Sequence, residues 1–221
     1  MCAKKRVALY GGTFDPVHLG HLEIARGVSE LFEIQKVLFI PALIAPHKQT
    51  RIVTPAIHRY AMLALATQHD PRLFVSTFEL DAPDRRYTVD TVAHFQSTFG
   101  DSSELFFIMG ADSWSEITTW REWEKLLTMT NHIVVTRPGY NVNVANISKC
   151  VQDRIVDLRF AQDAETIVQN VGGKGIFITD VVMKDISATE IRRAANEDRF
   201  ADLANQVPQP VIEYMKKYRI Y

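Results

Sequence analysis

Apolar residues recur along this chain in two rhythms. Short runs rich in β-branched and aromatic side chains occur at Val7–Tyr10, Val37–Ile40, Leu73–Leu80, Leu105–Met109, Ile133–Thr136 and Ile176–Ile178. Their length and composition predict strands. Between them, Leu19–Phe32, Pro55–Ala66, Thr88–Phe99, Ser113–Leu127 and Ser187–Ala195 place apolar residues at the spacing of a helix with one buried face. Pro55 suits a first helical turn behind a Thr54 cap. Val207–Tyr221, opened by Pro208 and Pro210, reads as a terminal helix. Strands alternating with helices predict an α/β fold, a doubly wound parallel sheet with right-handed crossovers, here with a C-terminal helical portion. Asn141–Gly175 is polar at its start and weakly patterned, and Gly172-Gly173-Lys174-Gly175 reads as a turn. Nothing along residues 1–221 marks a repeat, a low-complexity tract or a linker, so one domain is expected.

Composition narrows the classes. A chain of 221 residues that is 47% hydrophobic and 23% charged has the makings of a sizeable core. The net charge of -1 offers no general attraction to nucleic acid or anionic membrane, and neither is an expected partner. Any phosphate site must be local. The basic leader Met1-Cys2-Ala3-Lys4-Lys5-Arg6 runs into a strand and a glycine turn, whereas a signal peptide needs an apolar stretch of about 7–15 residues. No run approaches the roughly 18 apolar residues of a membrane span. Cys2 and Cys150 show no Cys-x-x-Cys spacing, so neither a disulfide framework nor a thiolate zinc site is expected. The expected location is the cytoplasm.

The chemistry concentrates in Tyr10–His21, YGGTFDPVHLGH. In a doubly wound sheet, ligands bind beyond the carboxyl ends of the strands. Gly11 and Gly12 follow the first strand, where the backbone must turn and approach a ligand closely. Asp15-Pro16 breaks the strand, and a helix begins at Val17 or His18. His18 and His21 then stand one turn apart with Gly20 leaving room beside them. The helix start adds unpaired N–H groups and partial positive charge, so two imidazoles there can donate to phosphate oxygens. A plain turn explains the glycines and Asp-Pro but leaves the histidines idle. A zinc pair would place its histidines four apart with a glutamate, and the G-x-G-x-x-G dinucleotide spacing is absent.

Gly11-Gly12-Thr13-Phe14-Asp15-Pro16-x-His18-x-Gly20-His21 resembles the signature of the bacterial nicotinate-nucleotide (nicotinate mononucleotide) adenylyltransferases, part of the nucleotidyltransferase superfamily whose HxGH histidines contact ATP. The likeness covers nearly the whole chain. Pro41 with Pro46-His47-Lys48, Arg86-Tyr87-Thr88-Val89-Asp90-Thr91, Gly110-Ala111-Asp112-Ser113, Arg137-Pro138-Gly139-Tyr140 and Ile186-Ser187-Ala188-Thr189-x-Ile191-Arg192 recur in the family's order. The resemblance implies a Rossmann-like nucleotidyltransferase fold. It also implies adenylyl transfer from ATP to nicotinate mononucleotide, giving nicotinate adenine dinucleotide and pyrophosphate, a step of NAD biosynthesis. Its partners are those two nucleotides, with Mg²⁺ arriving on ATP, and no dedicated protein metal site is expected. A homo-oligomer stays open, as does preference for the acid over the amide mononucleotide.

Residue roles follow from the same likeness. His18 and His21 are the catalytic pair, and Gly11, Gly12, Thr13, Phe14 and Gly20 join them around ATP. Ser187, Thr189 and Arg192 are expected on the triphosphate; by residue type alone, Ser187 with Glu190 is a capping box, and both readings can hold. Arg193 is expected to be a solvated neighbour. Gly110 and Asp112 suit a ribose, while Ser113 with Glu116 could equally cap the next helix. Trp120 is assigned to the nicotinate ring, with Trp114 and Trp123 structural. Trp114 stands where the family pattern usually has an aliphatic residue, a departure that bears on the ring pocket's contacts. Tyr87 and Thr88 are expected at the pyridine carboxylate, with Thr88 as a helix cap the plainer reading. His47, Lys48 and Arg137 are expected near substrate phosphates and the adenylate end. His58, His69, His94 and His132 belong to no motif. Competing readings are an adenylyltransferase for another substrate such as phosphopantetheine, a fragment of an aminoacyl-tRNA synthetase, and a silent nucleotide sensor.

Overall fold

The computed structural model describes residues 4–43, 53–81, 87–136, 142–144, 147–161, 163–170, 173–181 and 186–221. Along the chain run β1 (Lys5–Gly12), α1 (Leu19–Leu31), β2 (Lys36–Pro41), α2 (Ala56–Thr67), β3 (Leu73–Val75), α3 (Thr88–Phe99), β4 (Ser103–Gly110) and α4 (Ala111–Ser115). They are followed by α5 (Trp123–Met129), β5 (Asn131–Val135), α6 (Lys149–Gln152), β6 (Ile155–Asp157), α7 (Ala164–Asn170), β7 (Ile176–Thr179), α8 (Ala188–Asn196) and α9 (Gln209–Tyr218).

The strands form one parallel sheet in the order β3-β2-β1-β4-β5-β7-β6. Because successive strand side chains point to opposite faces, the central strands feed two apolar layers. Ala8, Tyr10, Phe39, Phe106, Ile108 and Phe177 join one layer, beneath residues of α1, α2, α8 and α9. Leu9, Leu38, Phe107, Met109 and Val134 join the other, with α3 and α5. Burying a side chain such as Phe39 contributes roughly 1.5–3 kcal/mol. This two-faced burial is the doubly wound α/β arrangement the pattern predicts. The strand order reverses between β1 and β4, so the ligand crevice of such a sheet lies at their carboxyl ends.

Several predicted elements end or break where side chains compete for backbone groups. The apolar run from Leu73 forms a strand only to Val75; Ser76 Oγ then accepts the Phe78 N–H at 3.1 Å, and Leu80 N–H bonds Thr77 O at 2.7 Å. That is a turn, and its Phe78 ring stacks on His94 with centroids 3.9 Å apart. The single helix expected over Ser113–Leu127 is three pieces: α4, a 3₁₀ turn at Ile117–Thr119, and α5. Ser115 Oγ donates to Ala111 O at 3.0 Å and Thr119 Oγ1 to Glu116 O at 2.7 Å, bonds that loosen helix continuity. Gly110, not Ser113, is the N-cap there. Pro55 is itself the cap of α2, with ψ at 137°, displacing Thr54 from that role. Tyr87, not Thr88, caps α3. Within Asn141–Gly175 the sequence pattern missed α6, β6 and α7, and Gly173, at φ +88°, turns the chain before β7.

Candidate active site

At the switch point β1 ends in two glycines that packing demands. A Cβ on Gly11 would stand 3.2 Å from Phe107 Cζ, and one on Gly12 would stand 2.8 Å from the Phe14 ring. Phe14 follows at φ +50°, an unusual conformation for a bulky side chain. Its ring sits edge-on to His21 at 5.0 Å and also meets Tyr10 and Phe39 at 5.5 and 5.4 Å.

His18 is the N-cap of α1, and its ring stacks on His21 with centroids 3.7 Å apart. The His18 main-chain N–H donates to His21 Nδ1 at 3.2 Å. In the neutral ring this leaves the His21 proton on Nε2, where it serves as a donor. A Cβ on Gly20 would meet His18 Nδ1 at 3.2 Å, so the glycine makes space for the stacked ring, as the spacing predicts. His18 is buried and His21 half-buried.

The turn between β1 and α1 is held from three directions, none of them evident in the sequence. Arg59, only 1% exposed on α2, donates to Thr13 O at 2.7 Å, Thr54 O at 2.9 Å and Ala42 O at 2.6 Å. Burial lowers its guanidinium pKa, and the neighbouring Asp15 and Tyr221 act against that shift. Arg192, on α8, donates to Asp15 O at 2.5 Å. The Asp15 carboxylate accepts the Tyr221 hydroxyl at 2.6 Å and the Thr54 N–H at 3.5 Å.

Helix α8 starts beside α1, Ile186 Cβ lying 3.9 Å from where a Gly20 Cβ would be. Ser187 caps it, its Oγ accepting the Glu190 N–H at 3.5 Å, which is half of the expected capping box; Glu190 pairs instead with the exposed Arg193. Arg192 Nη2 donates to Thr189 Oγ1 at 2.8 Å. Two helix N-termini, two imidazoles and a guanidinium therefore meet at one place, a local positive site on a chain of net charge -1.

Gly110 closes β4, exposed, and among the described residues beyond its chain neighbours no atom lies within 4 Å of the space a Cβ would fill. Asp112 is exposed in the first turn of α4. Trp120 is extended (ψ 145°), half-buried and edge-on to Phe107 at 6.4 Å. Its indole Nε1 is buried without a partner among the described residues. Trp114 is 2% exposed and donates to Asn143 O at 3.2 Å, a core role, and Trp123 is half-buried against the same layer. At the start of α3 the Asp90 carboxylate accepts the Tyr87 N–H at 3.4 Å, and the Arg121 guanidinium lies 4.7 Å over the Tyr87 ring. Tyr87 and Thr88 are half-buried. His47, Lys48, Arg86 and Arg137 lie outside the described residues.

The cytidylyltransferase-like family model matches residues 9–194, spanning this whole site. The chain belongs to that family. Among its relatives, a protein of Thermoanaerobacter sp. (strain X514) named "Probable nicotinate-nucleotide adenylyltransferase" is 37% identical, covering 98% of this chain and 94% of its own. One of the same name from Thermus thermophilus is 38% identical, covering 98% and 99%. In fold, the chain is similar to a Plasmodium falciparum nicotinic acid mononucleotide adenylyltransferase solved with NaAD, at TM-score 0.71, 18% identity and coverage of 97% and 96%. That likeness shows the Rossmann-like fold. No helix among the described residues is long and apolar enough to cross a membrane.

Proposed function

We propose that this chain transfers the adenylyl group of ATP to nicotinate mononucleotide, releasing pyrophosphate and forming nicotinate adenine dinucleotide, a step of NAD biosynthesis. The observation that carries the phosphate chemistry is the stacked His18–His21 pair where the starts of α1 and α8 meet. The choice of substrate is supported by relatives of that name aligned over nearly the full chain.

A mononucleotide phosphate oxygen, already ionised near neutral pH, attacks the α-phosphorus in line, and pyrophosphate leaves. No enzymic base is needed. The protein's work is to position two polyanions and stabilise charge on the leaving group. His21 Nε2–H and His18 donate to phosphate oxygens, while Thr13, the backbone of Gly11-Gly12-Phe14 and the space at Gly20 shape the ATP side. Ser187, Thr189 and Arg192 take the triphosphate. Gly110 and Asp112 admit and bind a ribose. Trp120 stacks on the pyridine ring, whose carboxylate faces Tyr87 and Thr88 at the start of α3. His47, Lys48 and Arg137 complete the phosphate contacts.

Among the described residues no three His, Cys, Asp or Glu side chains gather as a metal cage. Mg²⁺ would enter with ATP and screen phosphate charge during transfer. We further read the chain as one domain acting in the cytoplasm, a location that suits the exposed thiol of Cys150.

The test is a substrate panel read by product chromatography and pyrophosphate release. ATP with nicotinate mononucleotide should give the dinucleotide at the highest kcat/KM, ahead of the amide mononucleotide and phosphopantetheine. A preference for phosphopantetheine, or nucleotide binding without turnover, would refute the assignment.

A further inference from the structure

We propose that Tyr221 is a positioning residue of this site, its hydroxyl acting through Asp15 to fix the turn on which the His18–His21 pair is built. Tyr221 comes from the segment after α9, yet its hydroxyl donates to Asp15 Oδ1 at 2.6 Å across 206 positions of sequence. Asp15 is 5% exposed and Tyr221 half-buried, so that bond is partly shielded from water. The residue before it, Phe14, sits at φ +50°, a conformation that surrounding contacts must impose on a bulky side chain. The Phe14 ring is in turn a wall of His21, at 5.0 Å. The chain of contact therefore runs from the Tyr221 hydroxyl to Asp15, to Phe14, to His21.

Two guanidinium donors on this turn have different duties. Arg59 holds Thr13 O together with carbonyls of two neighbouring segments, and Arg192 divides itself between Asp15 O and Thr189. Tyr221 bonds the Asp15 side chain itself. Burial, then the bond to Asp15, pushes the Tyr221 hydroxyl far above the ordinary phenol range. It keeps its proton and remains a donor wherever the enzyme works.

This inference rests on the placement of substrate phosphates at His18 and His21. Its test is Tyr221→Phe in the full chain, with the exposed Tyr218→Phe as the control that leaves turnover unchanged. Tyr221→Phe should lower kcat about tenfold or more while KM for ATP moves less than about threefold, the pattern of a slightly misplaced donor. In long-range ¹H–¹⁵N spectra recorded without nucleotide, the His21 Nδ1 and Nε2 signals should also shift. A Tyr221→Phe protein with the parent kcat, whatever its Tm, overturns the proposal. Should Tyr221→Phe fail to fold, Asp15→Asn, which still offers the hydroxyl an acceptor, should retain more kcat than Asp15→Ala; equal losses overturn it. Failure of the underlying reading looks different: His21→Ala would keep its turnover while Tyr221→Phe still moved the His21 signals.

Discussion

Gly20 separates activity from stability at a single atom. It is buried on α1 and its missing Cβ would press on the His18 ring at 3.2 Å, so Gly20→Ala should tilt that ring off His21. Alanine in a helix interior is favoured over glycine by about 0.5–1 kcal/mol, and in this first turn of α1 part of that gain offsets the crowding. The expected result is a Tm equal to or above the parent's with kcat/KM down roughly tenfold, since a small misplacement of a catalytic donor is costly. A variant with parent activity would show that the glycine serves packing alone. The His-x-Gly-His spacing made this arrangement legible in the sequence because residue type and spacing both point to it. Asp15 was legible only as a strand breaker. Its carboxylate gains meaning from Tyr221 and Thr54, partners no local pattern links to it.

Among the elements, α2 shows how a helix with no motif can govern a site. Arg59 occupies what reads as an ordinary polar position, yet it is buried and satisfies carbonyls of Thr13, Ala42 and Thr54 at once. Arg59→Leu would take a donor from each of those part-buried carbonyls, and a buried unmet polar group costs about 1–3 kcal/mol. We expect denaturant unfolding to register a loss of about 2–5 kcal/mol. A loss below about 1 kcal/mol would mean water replaces the guanidinium freely. The stretch from Ser113 to Leu127 gives the opposite lesson. Its apolar spacing is helical throughout, but Ser115 and Thr119 bond back to Ala111 and Glu116, and the chain breaks. That break leaves Trp120 extended against Phe107, the orientation on which the ring-binding proposal depends.

For the whole molecule, alternation of strand and helix was enough to foresee a parallel sheet with two covered faces, because β1, β2, β4, β5 and β7 are apolar on both faces. Edge strand β6 was not foreseen: Ile155–Asp157 is three residues long, too short to register as a pattern. Global stability should carry the signature of His132, which is fully buried on β5 with Nδ1 3.0 Å from Thr130 O. Burial lowers its pKa from 6.5 to about 3, with the Thr130 bond opposing and Arg154 adding to the shift. The unfolded chain then binds a proton that the folded chain refuses. His132 therefore leaves stability intact above about pH 6.5 and erodes it, by up to about 1.4 kcal/mol per pH unit, as pH falls toward 3. Urea midpoints between pH 7 and 4 should fall less steeply in His132→Phe; parallel slopes would assign the acid sensitivity elsewhere. The most direct test of the account as a whole is kcat for His21→Ala with ATP and nicotinate mononucleotide, alongside its Tm. Loss of a donor that acts in the transition state should lower kcat about 10²–10³-fold with Tm unchanged. A variant that keeps most of its turnover would contradict the claim that this imidazole holds the phosphates during transfer.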